Sequence, residues 1–398
     1  MDGKLTFLIK FICIAYLVFL VPRLILNHTS FSSQKTYRNR HVLLGIENFV
    51  YSAKFNRTFK NIRFGLVCDR ASRDQSGLAT DKLLRKNNFR VNEVFSPDEL
   101  FAKKDVRLKS SFSKKIRSID TFLVDLQGRG MSGDGTLQQL RSIFKTALQH
   151  KKKVLITDRP NPLGSIVEGP GTLAWRHGLT TGELALFLNK YYFKNKVSLT
   201  VISLKRWRRN FGFFGLPFWP ISDSVPSLSI CQGLTFLEPM ESLSPVVIRQ
   251  NLQSNLQGVL FAQKEKLSEW ELRFLKRICW KLGLRSTNYS IYDEKRKENL
   301  YGVKVSVKAD MSKFSAFNTF LTIARFLKNR QQIKLSFGKD LAKQINSSQV
   351  QRFLQGIISF DDLEINIEKS LAVFYDKIKP CCLYKPLPNI VSPQLMKA

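Results

Sequence analysis

The chain has 398 residues, of which 43% are hydrophobic, and its 64 Lys and Arg outweigh 31 Asp and Glu to give a net charge of +33. This apolar content can fill substantial cores, which excludes a disordered protein, and the length suggests two or three domains. The charge would attract any polyanion, whether nucleic acid, anionic lipid or an acidic wall polymer, although a basic bias of the whole proteome would give the same value.

The N-terminal segment is apolar from Leu5 to Leu26, and its uninterrupted part runs from Phe11 to Val21. That part has the length of the apolar region of a signal peptide and is short for a membrane span. We therefore predict a signal peptide or signal-anchor plus a basic tether in residues 1–40. The protein would then be exported, and either periplasmic or membrane-anchored facing the envelope. The alternative is a buried helix of a globular domain.

Apolar runs and helical stripes alternate from residue 61 onward. The pattern predicts strands at 62–68, 89–95, 119–126, 154–157 and 199–204, and helices at 78–86, 137–148 and 181–192. Strands that alternate with helices indicate crossover connections and a parallel sheet. We therefore predict that residues 41–245 form a Rossmann-like α/β domain of catalytic type.

The second half of the chain has a different pattern. Prolines interrupt every run between residues 211 and 247, which indicates a long irregular segment and a domain boundary near residue 246. Beyond it we predict strands at 258–262 and 301–307 and helices at 267–281 and 314–328. A final helix carries one apolar face, formed by Leu363, Ile367, Leu371, Phe374 and Ile378. Residues 246–398 should therefore form a smaller α+β domain.

Several site types are absent from the sequence. It has no G-x-G-x-x-G loop after the first strand, no G-x-x-x-x-G-K-[ST] loop and no G-x-S-x-G elbow. Its six cysteines show no C-x-x-C pairing and no His at metal-ligand spacing. We therefore predict no cofactor, no metal and no disulfide framework, and we interpret most of the cysteines as buried thiols.

Polar residues follow the predicted strand 154–157, where Asp158, Arg159 and Asn161 stand between two prolines. Ligands of open α/β sheets bind beyond the carboxyl ends of the strands, so these side chains are placed to face one. The alternative is a rigid turn. Glycines and polar groups continue to recur up to the next helix, through Glu168, Arg176 and His177, which favours a site.

Three motifs appear in order in this stretch, namely D-R-P-N-P-L-G from residue 158, V-E-G-P from residue 167 and R-H-G-L-T-T-G-E-L-A from residue 176. With Asn189, they resemble the central signature of the NamZ-like exo-β-N-acetylmuramidases, glycosidases of peptidoglycan recycling. Weaker similarity extends from about residue 41 to about residue 386. The resemblance implies release of terminal N-acetylmuramic acid from peptidoglycan or muropeptide fragments.

A glycosidase usually needs one protonated carboxylic acid and a second carboxylate as base or nucleophile. We predict that the catalytic residues are among Asp98, Glu99, Asp158 and Glu168. We predict that Asp125, Gln127, Arg159, Asn161, Arg176, His177, Glu183 and Glu238 bind substrate. The acids follow successive strands of a parallel sheet, so we expect them to converge; for each acid the alternative is a solvated or helix-capping role. The arginines suit a planar carboxylate such as the lactyl group of muramic acid.

The sequence departs from the family pattern at several site positions. A P-E-H-G motif supplies the family's principal acid, and here Asp98 and Glu99 stand in place of its glutamate and histidine. The motif D-x-Q-D-x-G-x-R loses an acid at Gly128 and an arginine at Ser132. A later glycine-rich motif keeps only Glu238. About 1 Å of misplacement of a catalytic group can lower a rate on the order of 10²-fold.

Hydrolysis of a muramic-acid glycoside is therefore the leading prediction, and hydrolysis of a related sugar stays open. The alternative is a catalytically silent glycan-binding or scaffold protein at the cell envelope. A nucleic-acid partner, suggested by the basic cluster at residues 205–209, is disfavoured because no binding motif accompanies it. An anionic membrane surface is a further candidate partner, and the oligomeric state stays open.

Overall fold

The structure is a computed structural model. It describes residues 42–100, 106–213, 215–244, 247–251, 258–264, 266–294, 297–307, 314–329, 336–337, 341, 345 and 347–395. The predicted leader, residues 1–40, lies outside these ranges. No helix in the described ranges is long and apolar enough to cross a membrane.

A five-stranded parallel sheet organises the N-terminal half, in the order β2-β1-β3-β4-β6. Its strands are β1 (Arg63–Cys68), β2 (Arg90–Phe95), β3 (Thr121–Asp125), β4 (Lys153–Thr157) and β6 (Leu199–Ile202). All five residues of the central strand β3 are buried, as expected for a short apolar run covered on both faces. The predicted Rossmann-like α/β class is confirmed. The successive strands β2 and β3 were expected to be neighbours, and this needs correction, because β1 lies between them.

Helices connect and cover this sheet. They are α1 (Gly45–Tyr51), α2 (Ala53–Phe59), α3 (Thr80–Lys86), α4 (Val106–Arg117), α5 (Thr136–Gln149) and α6 (Thr181–Tyr192). The stripe predicted for α5 is buried at Leu140, Ile143, Phe144 and Ala147, and α5 packs against both β4 and α6. Each parallel crossover therefore returns the chain so that every strand ends at the same edge of the sheet.

An antiparallel sheet follows, in the order β10-β11-β9-β8. Its strands are β8 (Val247–Asn251), β9 (Gly258–Gln263), β10 (Leu284–Asp293) and β11 (Glu298–Val307). The helices of this half are α7 (Leu228–Leu237), α8 (Glu269–Lys281), α9 (Ala316–Lys328), α10 (Ser348–Gln355) and α11 (Phe360–Ile378), of which α7 and α8 contact the sheet. The predicted face of α11 is buried in full. This smaller antiparallel layer with helices confirms the predicted α+β character of the C-terminal part.

Residues Leu43–Ala398 form one unit. Its hydrophobic core is continuous from β3 to α11, and at its centre Trp175 packs edge-on against Phe317 with ring centroids 5.6 Å apart. The domain boundary near residue 246 stays a prediction. Two short pairings complete the fold, between β7 (Leu243–Ser244) and β12 (Ser336–Phe337), and between β5 (Ile166–Glu168) and β13 (Asn389–Val391).

The C-terminal segment returns to the N-terminal half. Strand β13 pairs in parallel with β5, and the Asn389 amide donates to the Ser165 carbonyl at 3.0 Å. Farther along, Gln394 donates from its amide to the Asn318 side chain at 2.9 Å. The segment that contains β13 therefore packs against β5, in the loop region that follows β4.

Candidate functional site

The candidate site lies at the carboxyl edge of the parallel sheet, where β1, β3 and β4 end in acids. Asp69 follows β1, Asp125 is the last residue of β3, and Asp158 follows β4. This edge is where open α/β sheets bind ligands. Asp69 was not among the residues predicted from the sequence, although its place directly after the first strand is the signal that would have indicated it. Burial raises the pKa of the Asp69 carboxyl.

Asp125 forms a buried ion pair with Arg159. The guanidinium donates from Nε to Oδ1 at 2.6 Å and from Nη2 to Oδ2 at 2.7 Å, and the two side chains are 0% and 3% exposed. The Thr157 hydroxyl donates to Oδ1 at 3.0 Å and the Thr80 hydroxyl donates to Oδ2. Each carboxylate oxygen thus accepts two hydrogen bonds, so the pair ties the ends of β3 and β4 together.

Asp158 is fully buried and accepts three hydrogen bonds. The Gly182 amide donates to Oδ1 at 2.6 Å, while the hydroxyls of Thr180 and Tyr384 donate to Oδ2 at 2.9 and 2.6 Å. Burial, followed by the nearby charge of Glu183, raises the pKa of this carboxyl to about 7, against the lowering effect of its three donors. Asp158 is therefore a buried acid near its titration point at neutral pH.

Glu183 caps helix α6 and pairs with a buried arginine. The Thr180 amide donates to Oε2 at 3.0 Å, and the Glu183 amide donates to the Thr180 hydroxyl at 3.2 Å, which together form a capping box. Oε1 accepts from Arg209 and, at 2.8 Å, from the Leu383 amide. Arg209 also donates to two backbone carbonyls at 2.7 and 2.9 Å. This network holds the C-terminal segment against α6.

Glu168 and Arg176 lie opposite each other on short antiparallel segments. Their amides and carbonyls exchange two hydrogen bonds of 3.0 Å, and Arg176 Nη1 donates to Glu168 Oε1 at 3.1 Å. Glu168 also accepts from the Ser315 hydroxyl and, at 2.9 Å, from the Ala316 amide. Because Ala316 begins helix α9, the carboxylate lies at a helix N-terminus, where negative charge is stabilised.

Gln127 and Asn161 bind the backbone of the loops around them. Gln127 donates from its side-chain Nε2 to two carbonyls at 3.0 and 3.1 Å, and its backbone N–H donates to the Asp69 carboxylate at 3.0 Å. Asn161 accepts from the Leu163 amide at 2.8 Å and donates to the Leu179 carbonyl at 3.2 Å. These amides hold the shape of the loops after β3 and β4.

A small pocket opens between these loops. Its lining residues are Gly128, Gly130, Asp134, Thr136, Pro160, Asn161, His177, Leu179, Thr181 and Leu184. Its interior accommodates about one water molecule or one hydroxyl group. Gly130 has φ +98°, and a Cβ there would lie 2.0 Å from Asn161 Oδ1. The pocket therefore needs glycine at this position to keep Asn161 in place.

His177 lines this pocket as a neutral side chain. Its Nδ1 accepts a hydrogen bond from the Leu179 amide at 3.1 Å, so Nε2 carries the proton. Burial, opposed by the charge of Asp134, lowers the pKa of the imidazole to about 4. His177 can therefore donate a hydrogen bond from Nε2 at neutral pH without carrying charge.

Asp134 is the carboxylate that lines the pocket, and the sequence analysis did not select it. Its Oδ2 accepts from the Gly130 amide at 2.8 Å and its Oδ1 from the Thr136 amide at 2.9 Å. A Cβ on Gly128 would lie 3.3 Å from Asp134 Oδ2. The carboxylate thus lies beside the space that an acidic side chain at Gly128 would enter, and no sequence motif indicates this replacement.

Asp98 and Glu99 form a short exposed helical turn after β2. Glu99 accepts from the Ser96 amide at 3.1 Å, and its carboxylate lies 3.8 Å from Lys115 Nζ. Three inter-strand spacings separate the ends of β2 and β4, roughly 14 Å. Glycosidase carboxylates are roughly 5–9.5 Å apart. The strand order therefore does not support the expected convergence of Asp98 with Asp158.

The turn at Asp98–Leu100 instead packs against α5. This contact places the turn beside α5, the helix that follows the loop carrying Asp134. Asp98 shows no hydrogen bond or ion pair within the described ranges. Its exposed carboxyl is therefore open to a ligand.

Arg129 and Glu238 form an ion pair beside the pocket, with Nη2 and Oε2 3.0 Å apart. The Arg129 side chain is 16% exposed and that of Glu238 is 37% exposed. Arg129 also interacts with the charge of Asp134. The guanidinium is therefore a partly accessible positive charge next to the pocket carboxylate, at a position that the sequence analysis did not select.

The basic cluster at residues 205–209 is divided between surface and core. Trp207 is buried against Tyr384, with ring centroids 4.9 Å apart, and Arg209 is 2% exposed in its pair with Glu183. Lys205, Arg206 and Arg208 are exposed. The tryptophan and one of the arginines are thus part of the core.

No group of three or more His, Cys, Asp or Glu side chains in the described residues could hold a metal ion. The described cysteines, Cys68, Cys231, Cys279, Cys381 and Cys382, are free thiols. Burial raises the pKa of Cys231 and of Cys279 to about 12, so both stay protonated at neutral pH.

The predicted site residues other than Gln127 fall into three groups. Asp125, Asp158, Glu168 and Glu183, with Arg159 and Arg176, are partners in buried networks. Asn161 and His177 line the pocket, Glu238 lies beside it, and Asp98 and Glu99 are exposed. The catalytic and binding roles assigned to them stay predictions.

Comparison with known proteins supports the family resemblance. Residues 99–229 match the family model described as exo-beta-N-acetylmuramidase NamZ, N-terminal. Two crystal structures of DUF1343 family proteins from Bacteroides fragilis share the fold, both at 19% identity. The first has a TM-score of 0.68 and covers 87% of this chain and 99% of its own, and the second has 0.61, 86% and 99%. No curated protein matches the chain.

The sequence motifs, the matched model and the shared fold agree with one another. They support a glycoside-hydrolase-like function in general terms. The pocket and the ends of β3 and β4 lie within the matched stretch. Residues 99–229 therefore resemble the N-terminal part of the exo-beta-N-acetylmuramidase NamZ family, as the sequence motifs indicated.

Proposed function

We propose that the protein is an exo-acting glycosidase that releases terminal N-acetylmuramic acid from peptidoglycan fragments at this pocket. One observation carries the proposal. Every residue that lines the pocket, from Gly128 to Leu184, belongs to the stretch that matches the NamZ model, and the pocket lies at the ligand-binding edge of the sheet. The pocket's small volume fits one hydroxyl group of the sugar, so the ring rests at the mouth.

Four residues have separate roles in the proposed reaction. Asp98, the exposed acid after β2, donates the proton to the leaving oxygen, and Asp134 supplies the second carboxylate. His177 donates a hydrogen bond from Nε2 to a sugar hydroxyl. Arg129 attracts the lactyl carboxylate, since its side chain is partly accessible and an arginine matches a planar anion.

A second candidate is a catalytically silent glycan-binding protein of the envelope. It is favoured by the exposure of Asp98 and Glu99, because catalytic sites usually exclude the water that surrounds these two side chains. The buried acids that remain are held by partners and do not line the pocket. Such a site would bind the sugar and leave its glycosidic bond intact.

Sugar release from a chromogenic N-acetylmuramide and from purified muropeptides tests the proposal. We expect Asp98→Asn and Asp134→Asn to lower kcat about 10²- to 10⁴-fold, the usual contribution of a positioned acid or base. Asp361→Asn is the matched control for the two aspartate variants, and His150→Gln is the matched control for His177→Gln. Both controls change exposed residues elsewhere. Release that is unaffected by Asp98→Asn and Asp134→Asn would refute these roles.

The same preparation distinguishes the two candidates. Calorimetry with N-acetylmuramic acid and muropeptides measures binding independently of turnover. Saturable binding without sugar release, abolished by His177→Gln, would favour the silent protein over the hydrolase. The absence of both binding and release would remove both candidates.

The proposed substrate lies outside the cytoplasm, which agrees with the export predicted from the sequence of residues 1–40. We propose that this segment directs the protein to the envelope. Alkaline phosphatase fused after residue 40 is active only when exported. An active fusion would support the proposal, and an inactive fusion with normal expression would contradict it.

A further inference from the structure

Helix α8 exposes a stripe of tryptophan and basic side chains on one face. Trp270 is 65% exposed and Trp280 is 71% exposed. Arg273, Arg277 and Lys281 are also exposed and fall on the same face at helical spacing. We call these five residues the Trp–Arg stripe. The opposite face carries the buried residues Leu275, Ile278 and Cys279.

The orientation of one exposed ring is fixed from within. Trp270 stacks on Phe274 with ring centroids 5.3 Å apart and planes 10° apart. Phe274 contacts Phe326 of helix α9 at 5.5 Å. This row of rings links the surface to the core, so Trp270 presents a flat face whose orientation is set before any ligand binds. Preorganisation of this kind lowers the entropic cost of binding.

The arginines of the stripe are accessible to an anion. Arg273 has an exposed partner, Glu269, at 3.6 Å, and the two side chains are 77% and 91% exposed. Such a surface pair is weak and screened by salt. Arg277 makes no hydrogen bond or ion pair within the described ranges. Two guanidinium groups thus lie between two tryptophans with little internal competition for them.

We propose that the Trp–Arg stripe binds a strand of carboxylated glycan. The tryptophan rings stack on the apolar faces of sugar rings, and the arginines pair with the carboxylates between them. Trp270 and Trp280 are ten residues apart, which on a helix is about 15 Å, so a strand of several sugars lies along the helix axis. The choice of a carboxylated glycan rests on the proposed function, in which the pocket takes the end of such a strand.

The arrangement of the stripe distinguishes this ligand from two others. A helix that binds a membrane surface separates an apolar face from a basic one, whereas here the arginines lie between the tryptophans. A nucleic acid strand carries a phosphate at every residue, and Glu269, exposed beside Trp270, would repel so dense a series of charges. A glycan with one carboxylate on alternate sugars fits the mixed charge.

Equilibrium binding to four probes tests the inference. The probes are peptidoglycan glycan strands freed of their stem peptides, uncharged chitin oligosaccharides, poly(dT), and vesicles with 30% phosphatidylglycerol, at about 0.15 M salt. The full chain carries Asp134→Asn so that the strands stay intact. We expect Trp270→Ala/Trp280→Ala and Arg273→Gln/Arg277→Gln each to weaken strand binding at least tenfold, about 1.4 kcal/mol. Tyr51→Ala/Arg57→Gln, which removes an exposed aromatic and an exposed arginine elsewhere, should bind like the parent.

Each other outcome would overturn the inference. These outcomes are strand binding unchanged by the stripe variants, equal binding of chitin and strands, or tighter binding of poly(dT) or vesicles. A change in the thermal midpoint or far-ultraviolet spectrum would identify a folding defect, in which case Trp270→Phe/Trp280→Phe, which keeps aromatic rings, should restore binding. The short chromogenic muramide separates the two proposals, because it occupies the pocket alone. Its hydrolysis is measured in chains that keep Asp134: it fails if the proposed function is wrong, while the stripe variants should leave it unchanged.

Discussion

Tyr384 connects the last segment of the chain to the acid at the end of β4, and its hydroxyl can be removed without changing its ring. The hydroxyl donates to Asp158 Oδ2 at 2.6 Å and accepts from the Leu204 amide at 2.7 Å. Tyr384→Phe therefore deletes a donor to a buried carboxyl and leaves a buried N–H unpaired. Each loss is worth roughly 1–3 kcal/mol, so we expect the free energy of unfolding to fall by about 2–6 kcal/mol near neutral pH.

The loss should also depend on pH. With a pKa of about 7, folded Asp158 binds a proton that an unfolded aspartate has already released, so its contribution to stability falls as pH rises from about 4 to about 7. The Tyr384 donor lowers that pKa, and its removal raises it further. Destabilisation by Tyr384→Phe should therefore be larger at pH 8 than at pH 5, by about 1.4 kcal/mol for each unit of pKa change.

Urea unfolding followed by tryptophan fluorescence measures both the loss of stability caused by Tyr384→Phe and its dependence on pH. Comparing variant with parent at each pH cancels the titration of His177 and all other shared groups. Tyr292→Phe, at a tyrosine that is 52% exposed, is the matched control and should change stability by less than about 0.5 kcal/mol. A Tyr384→Phe loss as small as that of the control, or equal at the two pH values, would refute the reasoning.

Three further predictions concern the loops of the site. Arg159→Met leaves Asp125 as a buried charge without its guanidinium, and should lower the free energy of unfolding in urea by about 3–5 kcal/mol, whereas less than about 1 kcal/mol would contradict the structural role of the pair. Gly130→Ala and Gly135→Ala, at φ +98° and +86°, should both show backbone strain of roughly 1–2 kcal/mol; only Gly130→Ala displaces Asn161, since nothing lies within 4 Å of a Cβ on Gly135. Only the first should therefore weaken muramic acid binding in calorimetry, and equal effects would exclude steric control of Asn161. In an NMR titration His177 should protonate at about pH 4, so the free energy of unfolding should fall as pH falls from about 6.5 to 4. His177→Gln should remove both this NMR titration and this pH dependence of stability. An imidazole that titrates near its ordinary value would contradict its burial.

The parallel sheet could be predicted from the sequence because its strands are short apolar runs buried on both faces. The antiparallel sheet was predicted only in part. Strand β10 has mostly exposed or half-buried residues, so its sequence, L-R-S-T-N-Y-S-I-Y-D, lacks the apolar signal that marks β3. Its ten-residue pairing with β11 supplies the stability that its composition does not indicate.

The candidate site could be predicted from the sequence even less completely than the antiparallel sheet. Sequence reasoning selected Asp158 and Glu183, but their partners Tyr384 and Arg209 are 226 and 26 residues away and belong to no recognisable motif. It also passed over Asp134, because only the fold reveals that its carboxylate lies beside Gly128. A motif identifies which residues are polar, whereas their roles depend on neighbours that distant parts of the chain provide.

The pairing of β13 with β5 has a consequence for biosynthesis. As the chain leaves the ribosome, the strands that end in Asp125 and Asp158 are made long before residues 383–391, which supply a hydroxyl to Asp158 and an amide to Glu183. Until those residues arrive, the two acids lack part of the hydrogen bonding that offsets their burial, so the nascent N-terminal layer favours a hydrated, loosely closed site edge. Closure of this edge therefore waits for a segment that is made late, since Tyr384 follows Asp158 by 226 residues.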